Sequence, residues 1–303
     1  MGGRVVITGG TGFIGRALSS RLAAAGREVT ALTRDPASAP AIPGVAYARW
    51  DGKTAAGWLD AADGAAAIVN LAGDNIGEGR WTAAKKDRML RSRLDAGAAV
   101  TDAVARAARK PAMVVQASAI GAYGDRGDEV IDDSGAPGGG FLADVCRQWE
   151  GSTASIEASG VRRVVVRTGV VLGHGGFLGK LALPFRLFGG GPQGSGAQFI
   201  SWIQLDDAAQ AIELLIGRED LDGAFNLTAP SPCRNRDFMK ALGAALGRPS
   251  WLPAPAFALG AALGEMADEL VLAGQNVVPA RLLAAGFAFS HTDLPGALQA
   301  SLG

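Results

Sequence analysis

The chain has 303 residues, and its 29 basic side chains balance its 29 acidic ones, so the formal net charge is zero. This balance argues against nucleic acid as the main partner, and a hydrophobic content of 48% is too high for a disordered chain. The length suits one large domain or two small ones with a substantial buried core.

Neither the cysteines nor the apolar runs indicate a metal site or a membrane segment. Cys146 and Cys233 lack the spacing of metal ligands or of a disulfide framework, which is typical of the reducing cytosol. The apolar stretch 255–264 meets Glu265 well before the roughly 20 apolar residues that a span needs. The amino terminus lacks the features of a signal peptide. We expect a cytoplasmic protein without metal or membrane contact.

Short apolar runs alternate with helical patterns in the first part of the chain. Strands are predicted at 4–8, 28–33, 66–70, 113–116 and 163–167, and helices at 14–25, 83–108 and 141–159. Apolar strands that alternate with helices are typical of a parallel sheet covered on both faces. The predicted fold class is therefore α/β, with a Rossmann-type doubly wound parallel sheet.

The pattern changes after Gly173. Glycine-rich loops break the alternation, a helix is predicted at 206–216 and a strand at 225–227, and the chain is mostly helical from Asn235 onwards. We predict a Rossmann domain over 1–173, with its sheet completed by 203–228. Residues 174–303 are predicted to form a smaller, mostly helical substrate-side domain that is partly interleaved with the first.

The segment between the first strand and the first helix has the features of a dinucleotide-binding turn. Gly9, Gly12 and Gly15 let the backbone turn tightly and approach a pyrophosphate that faces the helix amino terminus. The strand–turn–helix context favours this function over the alternative, a glycine-rich turn without a ligand. The other cofactor contacts predicted in this turn are Thr11, Phe13 and Ile14.

The end of the second strand selects between the two nicotinamide dinucleotides. An acidic residue there binds the ribose hydroxyls of NAD, whereas an arginine accommodates the 2′-phosphate of NADP. Thr33 and Arg34 occupy this position, and Asp35 follows one place too late. Arg34 therefore favours NADP(H), with Thr33 as a second hydrogen-bond donor. The alternative is an arginine that is only solvated.

At this point the motifs resemble the extended short-chain dehydrogenase/reductase superfamily. More closely, they resemble its atypical branch of NAD(P)-dependent epimerase-like proteins, also labelled cell-division-inhibitor homologues. The resemblance covers almost the whole chain, and its motifs lie at 8–15, 70–81, 92–94, 118–124, 149–150, 164–173, 183–196 and 274–289. The last block is specific to this branch.

The resemblance implies cofactor contacts outside the glycine turn, from Leu71, Ala72, Gly73, Arg93 and Val171. On the substrate side it suggests contacts from Asp74, Arg186 and Trp202. Two departures from the pattern of relatives also lie on the substrate side. Residues 201–204 read SWIQ where relatives often have PWIH, and Asp74 stands where relatives often have Glu. These departures weaken any transfer of a substrate from the relatives.

The tyrosine and lysine that normally perform this superfamily's proton transfer are absent as a pair. The chain has two tyrosines, and the fourth residue after each is Asp51 for Tyr47 and Gly127 for Tyr123. By the family pattern the tyrosine position falls on Phe141 or Leu142, and the lysine position falls on Val145 or Cys146.

Two residues remain as candidates for catalysis. Ser118 is retained at the end of a strand, where open α/β sheets bind their ligands, and would orient a carbonyl or hydroxyl group. Tyr123 could stand near the nicotinamide in place of the missing phenol, although without a lysine its pKa should stay near ~10. The alternative for Tyr123 is a tyrosine packed in its turn.

Two functions follow from these residues. The preferred hypothesis is an NADP(H)-binding oxidoreductase or epimerase-like enzyme that acts by hydride transfer on an unidentified small molecule. The alternative is a non-catalytic NADP(H)-binding sensor or regulatory protein. No nucleic-acid partner is expected, and a homodimer is compatible with the sequence.

Overall fold

The computed structural model describes residues 2–302 and contains thirteen strands. They are β1 (Gly2–Thr8), β2 (Arg27–Thr33), β3 (Val45–Arg49), β4 (Ala67–Asn70), β5 (Met113–Ala119), β6 (Val130–Ile131), β7 (Arg162–Thr168), β8 (Val170–Leu172), β9 (Phe199–Ile200), β10 (Trp202–Gln204), β11 (Gly223–Leu227), β12 (Cys233–Arg234) and β13 (Asn276–Val277).

Ten α-helices accompany these strands in the described residues. They are α1 (Phe13–Ala24), α2 (Leu59–Ala62), α3 (Ala83–Arg106), α4 (Phe141–Gly151), α5 (Gly176–Arg186), α6 (Leu205–Gly217), α7 (Asn235–Ala245), α8 (Ala256–Leu263), α9 (Ala280–Ala284) and α10 (Leu294–Leu302). Two 3-10 helices, Ile120–Tyr123 and Ala154–Ser159, and a π-helical turn, Ala267–Leu272, complete the helical structure.

Seven strands form one parallel sheet in the order β11-β7-β5-β4-β1-β2-β3. The chain reverses its direction of growth between β1 and β4, and in open α/β sheets the ligand crevice lies outside the carboxyl ends of the strands at such a point. Helices α1 and α6 cover one face of the sheet, and α2 and α3 cover the other. The predicted Rossmann-type doubly wound sheet is confirmed.

The strands are apolar because both of their faces are buried. Val5 and Ile7 face the core formed with α1 and α6, whereas Val6, between them, faces the core formed with α3. This alternation within one strand explains why the strands appear as continuous apolar runs in the sequence. No described helix among residues 2–302 is both long enough and apolar enough to cross a bilayer.

The second half of the chain contributes to both parts of the molecule. Strand β11 joins the large sheet beside β7, and α6 packs on α1. Helices α5, α7 and α10 form a separate core, in which Trp202 and Phe238 are buried. Short strand pairs β8–β10, β9–β12 and β6–β13 connect this region to the sheet. The division at residue 173 itself stays a prediction.

Candidate functional site

The glycine turn closes tightly over the end of β4. Gly9 has φ +67°, a backbone conformation that suits glycine, and its carbonyl oxygen accepts the Gly12 amide at 2.9 Å. A Cβ added to Gly9 would lie 3.0 Å from the backbone of Leu71, and one added to Gly15 would overlap the Gly9 carbonyl oxygen. The backbone packs too closely around both positions for any residue but glycine.

The amino terminus of α1 is available to an anion. Its N-cap residue is Gly12, no side chain caps it, and its first turn holds no acidic residue. Free amide groups and the helix dipole make such a terminus attractive to phosphate. Of the predicted contacts nearby, Thr11 and Ile14 are partly buried, and the Phe13 ring lies against Gly173 and Gly176.

A buried ladder of polar side chains fixes the backbone beside this turn. The Thr8 hydroxyl donates to Asn70 Oδ1 at 2.7 Å and accepts the Ala72 amide at 3.2 Å. Asn70 in turn donates from Nδ2 to Gln116 Oε1 at 2.9 Å. The ladder crosses the carboxyl ends of β1, β4 and β5, so it holds the segment Leu71–Gly73 at the crevice. Cofactor contacts from this segment stay a prediction.

Two arginines lie at the carboxyl ends of the strands next to β1. Arg34 follows β2 and Arg49 ends β3, where it is the register partner of Thr33. Both side chains border a cavity of about 480 Å³, lined also by Trp50, Asp51, Ala56 and Gly57. Neither guanidinium donates a hydrogen bond or forms an ion pair with any residue between 2 and 302.

Arg49 was missed by the sequence prediction because β3 was missed. Strand β3 is the edge strand of the sheet, and its burial alternates between exposed and half-buried positions rather than forming an apolar run. Recognition of β3 would have been enough to predict the position of Arg49, because the last residue of β3 lies next to the last residue of β2 in the parallel sheet.

Ser118 lies at the end of β5 and is bonded to a carboxylate that the sequence prediction gave no role. Its hydroxyl donates to Glu150 Oε1 at 2.6 Å. Arg167 holds the same carboxylate through Nε at 2.9 Å and Nη2 at 3.0 Å. Glu150 comes from α4 and Arg167 from β7, so the group unites three elements that are distant in the sequence. The motif that contains Trp149 and Glu150 was the available signal.

The same arginine extends the network to Tyr123. Its Nη1 donates to the Tyr123 hydroxyl at 3.1 Å, and that hydroxyl donates to Asn226 Oδ1 at 2.7 Å. Burial by itself would lower the pKa of Arg167, but hydrogen bonds to Glu150 and Tyr123 outweigh it, and the pKa is raised. Burial raises the pKa of Tyr123 above its ordinary value of 10.0.

The structure contradicts the predicted position of Tyr123 beside the nicotinamide. Its side chain has 0% exposed surface and packs with Ile120, Ile131 and Val277 in a small apolar cluster. A side chain with no exposed surface cannot touch a ligand, so the phenol is a structural group here. The alternative reading, a tyrosine packed in its turn, describes what is found.

The two candidate pairs of positions for the missing tyrosine and lysine, Phe141 with Val145 and Leu142 with Cys146, all lie in α4. The Cys146 thiol contacts the Ala119 carbonyl oxygen at 3.8 Å, next to Ser118, and Leu142 lies one helical turn earlier beside Gly121. Burial raises the pKa of the Cys146 thiol, so it remains protonated at neutral pH. Neither side chain can perform the work of a tyrosine and lysine pair.

Arg93 and Asp74 lie together at the mouth of the crevice. Arg93 Nη1 donates to the Asp74 carbonyl oxygen at 3.1 Å, and its guanidinium lies 4.7 Å from the Trp149 ring centre. Burial lowers the pKa of Arg93. The Asp74 carboxylate pairs with Lys85 at 2.6 Å. A cofactor or substrate role for either residue stays a prediction.

The remaining predicted contacts are placed differently from one another. Val171 is partly buried in β8, paired with Ile203, and Arg186 is exposed near the end of α5. Trp202 is fully buried, and its Nε1 donates to the Ser231 carbonyl oxygen at 3.1 Å. The predicted substrate contact from Trp202 is therefore contradicted, because the side chain belongs to the second core.

The C-terminal part closes the site from the side of α4. The Glu269 carboxylate accepts the amides of Phe141 at 2.9 Å and Leu142 at 3.1 Å, which are the first two residues of α4. A small cavity of about 120 Å³ lies at this junction, bordered by Gly121, Asp125, Leu142, Glu269 and Gln275. No group of side chains suited to a metal ion occurs within residues 2–302.

The parallel sheet, its reversal point and the glycine turn define a Rossmann-type dinucleotide-binding protein. The chain belongs to the NAD dependent epimerase/dehydratase family, whose profile matches residues 5–227. A second profile, a domain of unknown function termed DUF1731, matches residues 254–301. The predicted resemblance to atypical epimerase-like short-chain dehydrogenases/reductases is confirmed.

Relatives cover almost the whole chain. Human "Epimerase family protein SDR39U1" is 38% identical over 301 residues, with 98% of both chains covered. "Epimerase family protein ML0860" of Mycobacterium leprae is 38% identical over 297 residues, which cover 97% of this chain and 94% of the relative. The crystal structure of human SDR39U1 (isoform 2) with NADPH superposes with a TM-score of 0.87, at 35% identity over 98% of both chains. MoeE5 in complex with UDP-glucuronic acid and NAD has a TM-score of 0.79 at 22% identity, with 99% of this chain and 97% of that chain covered, and shares the fold.

Proposed function

We propose that the chain binds NADP(H) and transfers hydride between this cofactor and a small hydroxyl- or carbonyl-bearing molecule. The observation that carries the proposal is the pair of unengaged arginines, Arg34 and Arg49, at the carboxyl ends of β2 and β3. Both side chains are exposed and engaged by no other residue, and two guanidinium groups beside one cavity suit a phosphate. The human relative crystallised with NADPH supports the same cofactor.

The residues of the crevice fit such a cofactor. The glycine turn and the amino terminus of α1 would hold the pyrophosphate, because no side chain caps this terminus and its first turn carries no acidic residue. Arg34 and Arg49 would bind the 2′-phosphate, with the adenosine in the cavity bordered by Trp50. When bound, the cofactor supplies or accepts a hydride at its nicotinamide ring.

Ser118 and Glu150 would move the proton that the tyrosine and lysine pair normally handles. The Ser118 hydroxyl proton is already donated to Glu150, so the serine lone pairs are free to accept a substrate hydroxyl. In oxidation the substrate proton passes to Ser118 Oγ, the serine's own proton passes to Glu150, and hydride leaves the carbon for the cofactor. Reduction reverses each transfer.

Arg167 and solvent contact make Glu150 suitable for this role. Two hydrogen bonds from Arg167 fix the carboxylate in the orientation that Ser118 needs. The Glu150 side chain keeps 18% of its surface exposed, so a proton that it accepts can pass to water. The first requirement of general acid–base catalysis is a base within hydrogen-bond distance of the group whose proton it takes, and Glu150 is at this distance from Ser118.

A second candidate function is a non-catalytic NADP(H) sensor. The observation that favours it is that apolar or thiol side chains occupy both candidate pairs for the tyrosine and lysine, Phe141 with Val145 and Leu142 with Cys146. In a sensor the bound cofactor would control association with a partner, and no hydride would be transferred.

Titration of the purified protein with NADPH and NADH tests the cofactor. The wild type is expected to prefer NADPH, and Arg34→Ala and Arg49→Ala should each weaken NADPH binding by roughly 10- to 150-fold, since a charge-assisted hydrogen bond contributes about 1.5–3 kcal/mol. NADH binding should hardly change. Arg27→Ala, at the opposite end of β2, is the matched control. Equal affinity of the wild type for both dinucleotides would refute the 2′-phosphate site.

Turnover separates the two candidate functions. NADPH oxidation is followed with a panel of aldehydes and ketones, and NADP⁺ reduction with the corresponding alcohols. Glu150→Gln should slow turnover by roughly 10²- to 10⁴-fold, the usual contribution of a general acid–base group, and leave NADPH affinity intact. Glu157→Gln, which changes an exposed carboxylate paired with Arg163, serves as the control. NADPH binding without turnover of any compound would favour the sensor.

A further inference from the structure

Exposed apolar side chains concentrate on one surface of the C-terminal part. Nine large apolar side chains are exposed between residues 2 and 302, and six of them lie in the segments 183–188 and 251–257. Their exposed fractions range from 50% to 81%, and they are Leu183, Leu187, Phe188, Trp251, Leu252 and Phe257. We refer to these two segments together with α8 as the apolar face. Apolar residues scattered singly need no explanation, but a cluster marks an interaction surface.

The two segments are held together by specific contacts. Trp251 Nε1 donates to the Phe188 carbonyl oxygen at 3.0 Å, and the Trp251 and Leu252 amides donate to the Gly190 carbonyl oxygen at 3.0 and 3.1 Å. Arg248 stacks on the Phe188 ring at 4.7 Å. Phe188 has φ +60°, the single positive φ of a non-glycine residue in the described range. The fold thus maintains a strained residue with its ring outward.

Helix α8 lacks the polar side that an exposed helix normally has. Its sequence, AFALGAAL, contains no polar side chain, and none of its residues is buried. A helix that is apolar on all sides is normally covered, and an isolated helix of this length is marginal in water. Leu259 and Leu263 are half-buried against the chain, and the exposed side of α8 is an apolar surface that a partner can cover.

The chain segments that form the apolar face carry basic residues and no acidic ones. The stretches 173–205 and 238–264 contain no acidic residue, whereas the chain as a whole is balanced at 29 to 29. Their basic residues are Lys180, Arg186, Lys240 and Arg248. The next acidic residue, Glu265, already pairs with Lys86 at 2.7 Å. A partner that covers this face must be apolar at its centre and anionic around it.

We propose that the apolar face docks on the surface of an anionic lipid bilayer. The protruding aromatic and leucine side chains would enter the boundary between headgroups and acyl chains, and Arg186 and Arg248 would contact lipid phosphates. A second copy fits less well, because a two-fold dimer places the same cationic face against itself. Surface docking needs no spanning segment, and it does not depend on the proposed hydride transfer.

Vesicle sedimentation tests the docking directly. The full chain is mixed with vesicles of phosphatidylcholine alone or of phosphatidylcholine and phosphatidylglycerol. We expect the protein to sediment with the anionic vesicles. Its affinity for the neutral vesicles should be lower by about fivefold for each arginine that contacts the anionic surface. Trp251, the most exposed of the six tryptophans, should shift its emission to the blue and be quenched by brominated lipid.

Two variants decide whether the apolar face is responsible. Phe257→Gln removes a side chain that is 81% exposed and should weaken vesicle binding by about tenfold or more without a change in thermal stability. Leu283→Gln, on α9 and 49% exposed, is the matched control and should bind like the wild type. Absence of sedimentation with either vesicle, equal loss in both variants, or a dimer in light scattering that Phe257→Gln dissociates would each overturn the proposal.

Discussion

At the scale of single residues, Arg167 links Glu150, which is partly exposed to solvent, to the Tyr123 hydroxyl, which is fully buried. One edge of its guanidinium holds Glu150, which touches Ser118, and the remaining nitrogen holds the buried Tyr123 hydroxyl. Buried polar groups must be satisfied, and the Tyr123 hydroxyl has both a donor, Arg167, and an acceptor, Asn226. The phenol therefore serves the orientation of Arg167, and through it of Glu150, rather than the substrate.

Tyr123→Phe separates these roles. The substitution leaves Arg167 and Asn226 each short of a partner in a buried setting, which should lower the free energy of unfolding by about 1–3 kcal/mol. NADPH affinity should be unchanged, because the side chain does not reach the surface. Urea unfolding and cofactor titration measure the two quantities. A variant with unaltered stability that nevertheless loses turnover would show that the phenol acts in the chemistry.

At the scale of elements, the hydrophobic pattern of the sequence predicted those strands and helices whose formation depends on neighbouring residues in the chain. The strands that became β1, β2, β4, β5, β7 and β11 were predicted because both of their faces are buried and their residues are apolar. The edge strand β3 was missed, and helix α4 ends at Gly151 where a helix was predicted up to residue 159. A 3-10 helix, Ala154–Ser159, occupies most of the remaining part of the predicted helix.

The glycine turn and Arg34 could be predicted for the same local reason, whereas the Ser118 network could not. Ser118 meets Glu150 and Arg167 only after β5, α4 and β7 have assembled, and no spacing along the chain encodes that meeting. Hydrophobic periodicity also indicates which face of a helix or strand a side chain is on. It does not indicate which other elements of the fold pack on that face. For this reason the complete burial of Trp202 was not visible in the sequence.

Helix α4 depends on a cap that comes from the C-terminal part. Its N-cap residue, Gly140, provides no side chain, and Glu269 accepts its first two amides instead. A carboxylate at a helix amino terminus stabilises by about 0.3–1 kcal/mol, and up to about 2 kcal/mol where it is partly buried. Glu269→Gln should therefore lower the free energy of unfolding by about 1 kcal/mol.

Urea unfolding measures this loss, with Glu219→Gln, an exposed carboxylate near the end of α6, as the matched control. Glu269→Gln should also reduce turnover more than NADPH affinity, because α4 carries Glu150 but no residue of the proposed cofactor site. Equal stability of the two variants would mean that the capping bonds contribute nothing measurable.

At the scale of the whole molecule, the two halves of the chain are joined by an exchange of elements. Helix α6 and strand β11 come from the second half but complete the sheet, and Arg21 of α1 pairs with Glu213 of α6 at 2.5 Å. The Asp207 carboxylate in α6 in turn accepts the amides of Ser290 and His291 at 2.8 and 3.0 Å. Because each half contains part of the other's packing surface, we expect them to unfold together.

The reactivity of the two cysteines measures the unfolding of each half separately, because Cys146 lies in α4 and Cys233 lies in β12 of the C-terminal part. Burial raises the pKa of the Cys146 thiol and raises that of Cys233 to about 12, so neither should react with iodoacetamide in the native protein at neutral pH. In increasing urea both thiols should become reactive at the same midpoint urea concentration.

NADPH at 100 times its Kd should raise both midpoints together, by the equivalent of about 2.7 kcal/mol in the free energy of unfolding. Single-cysteine variants, Cys146→Ala and Cys233→Ala, assign the two signals. Labelling of Cys233 at lower urea than Cys146, with only the Cys146 midpoint raised by NADPH, would instead make the C-terminal part a separate folding unit.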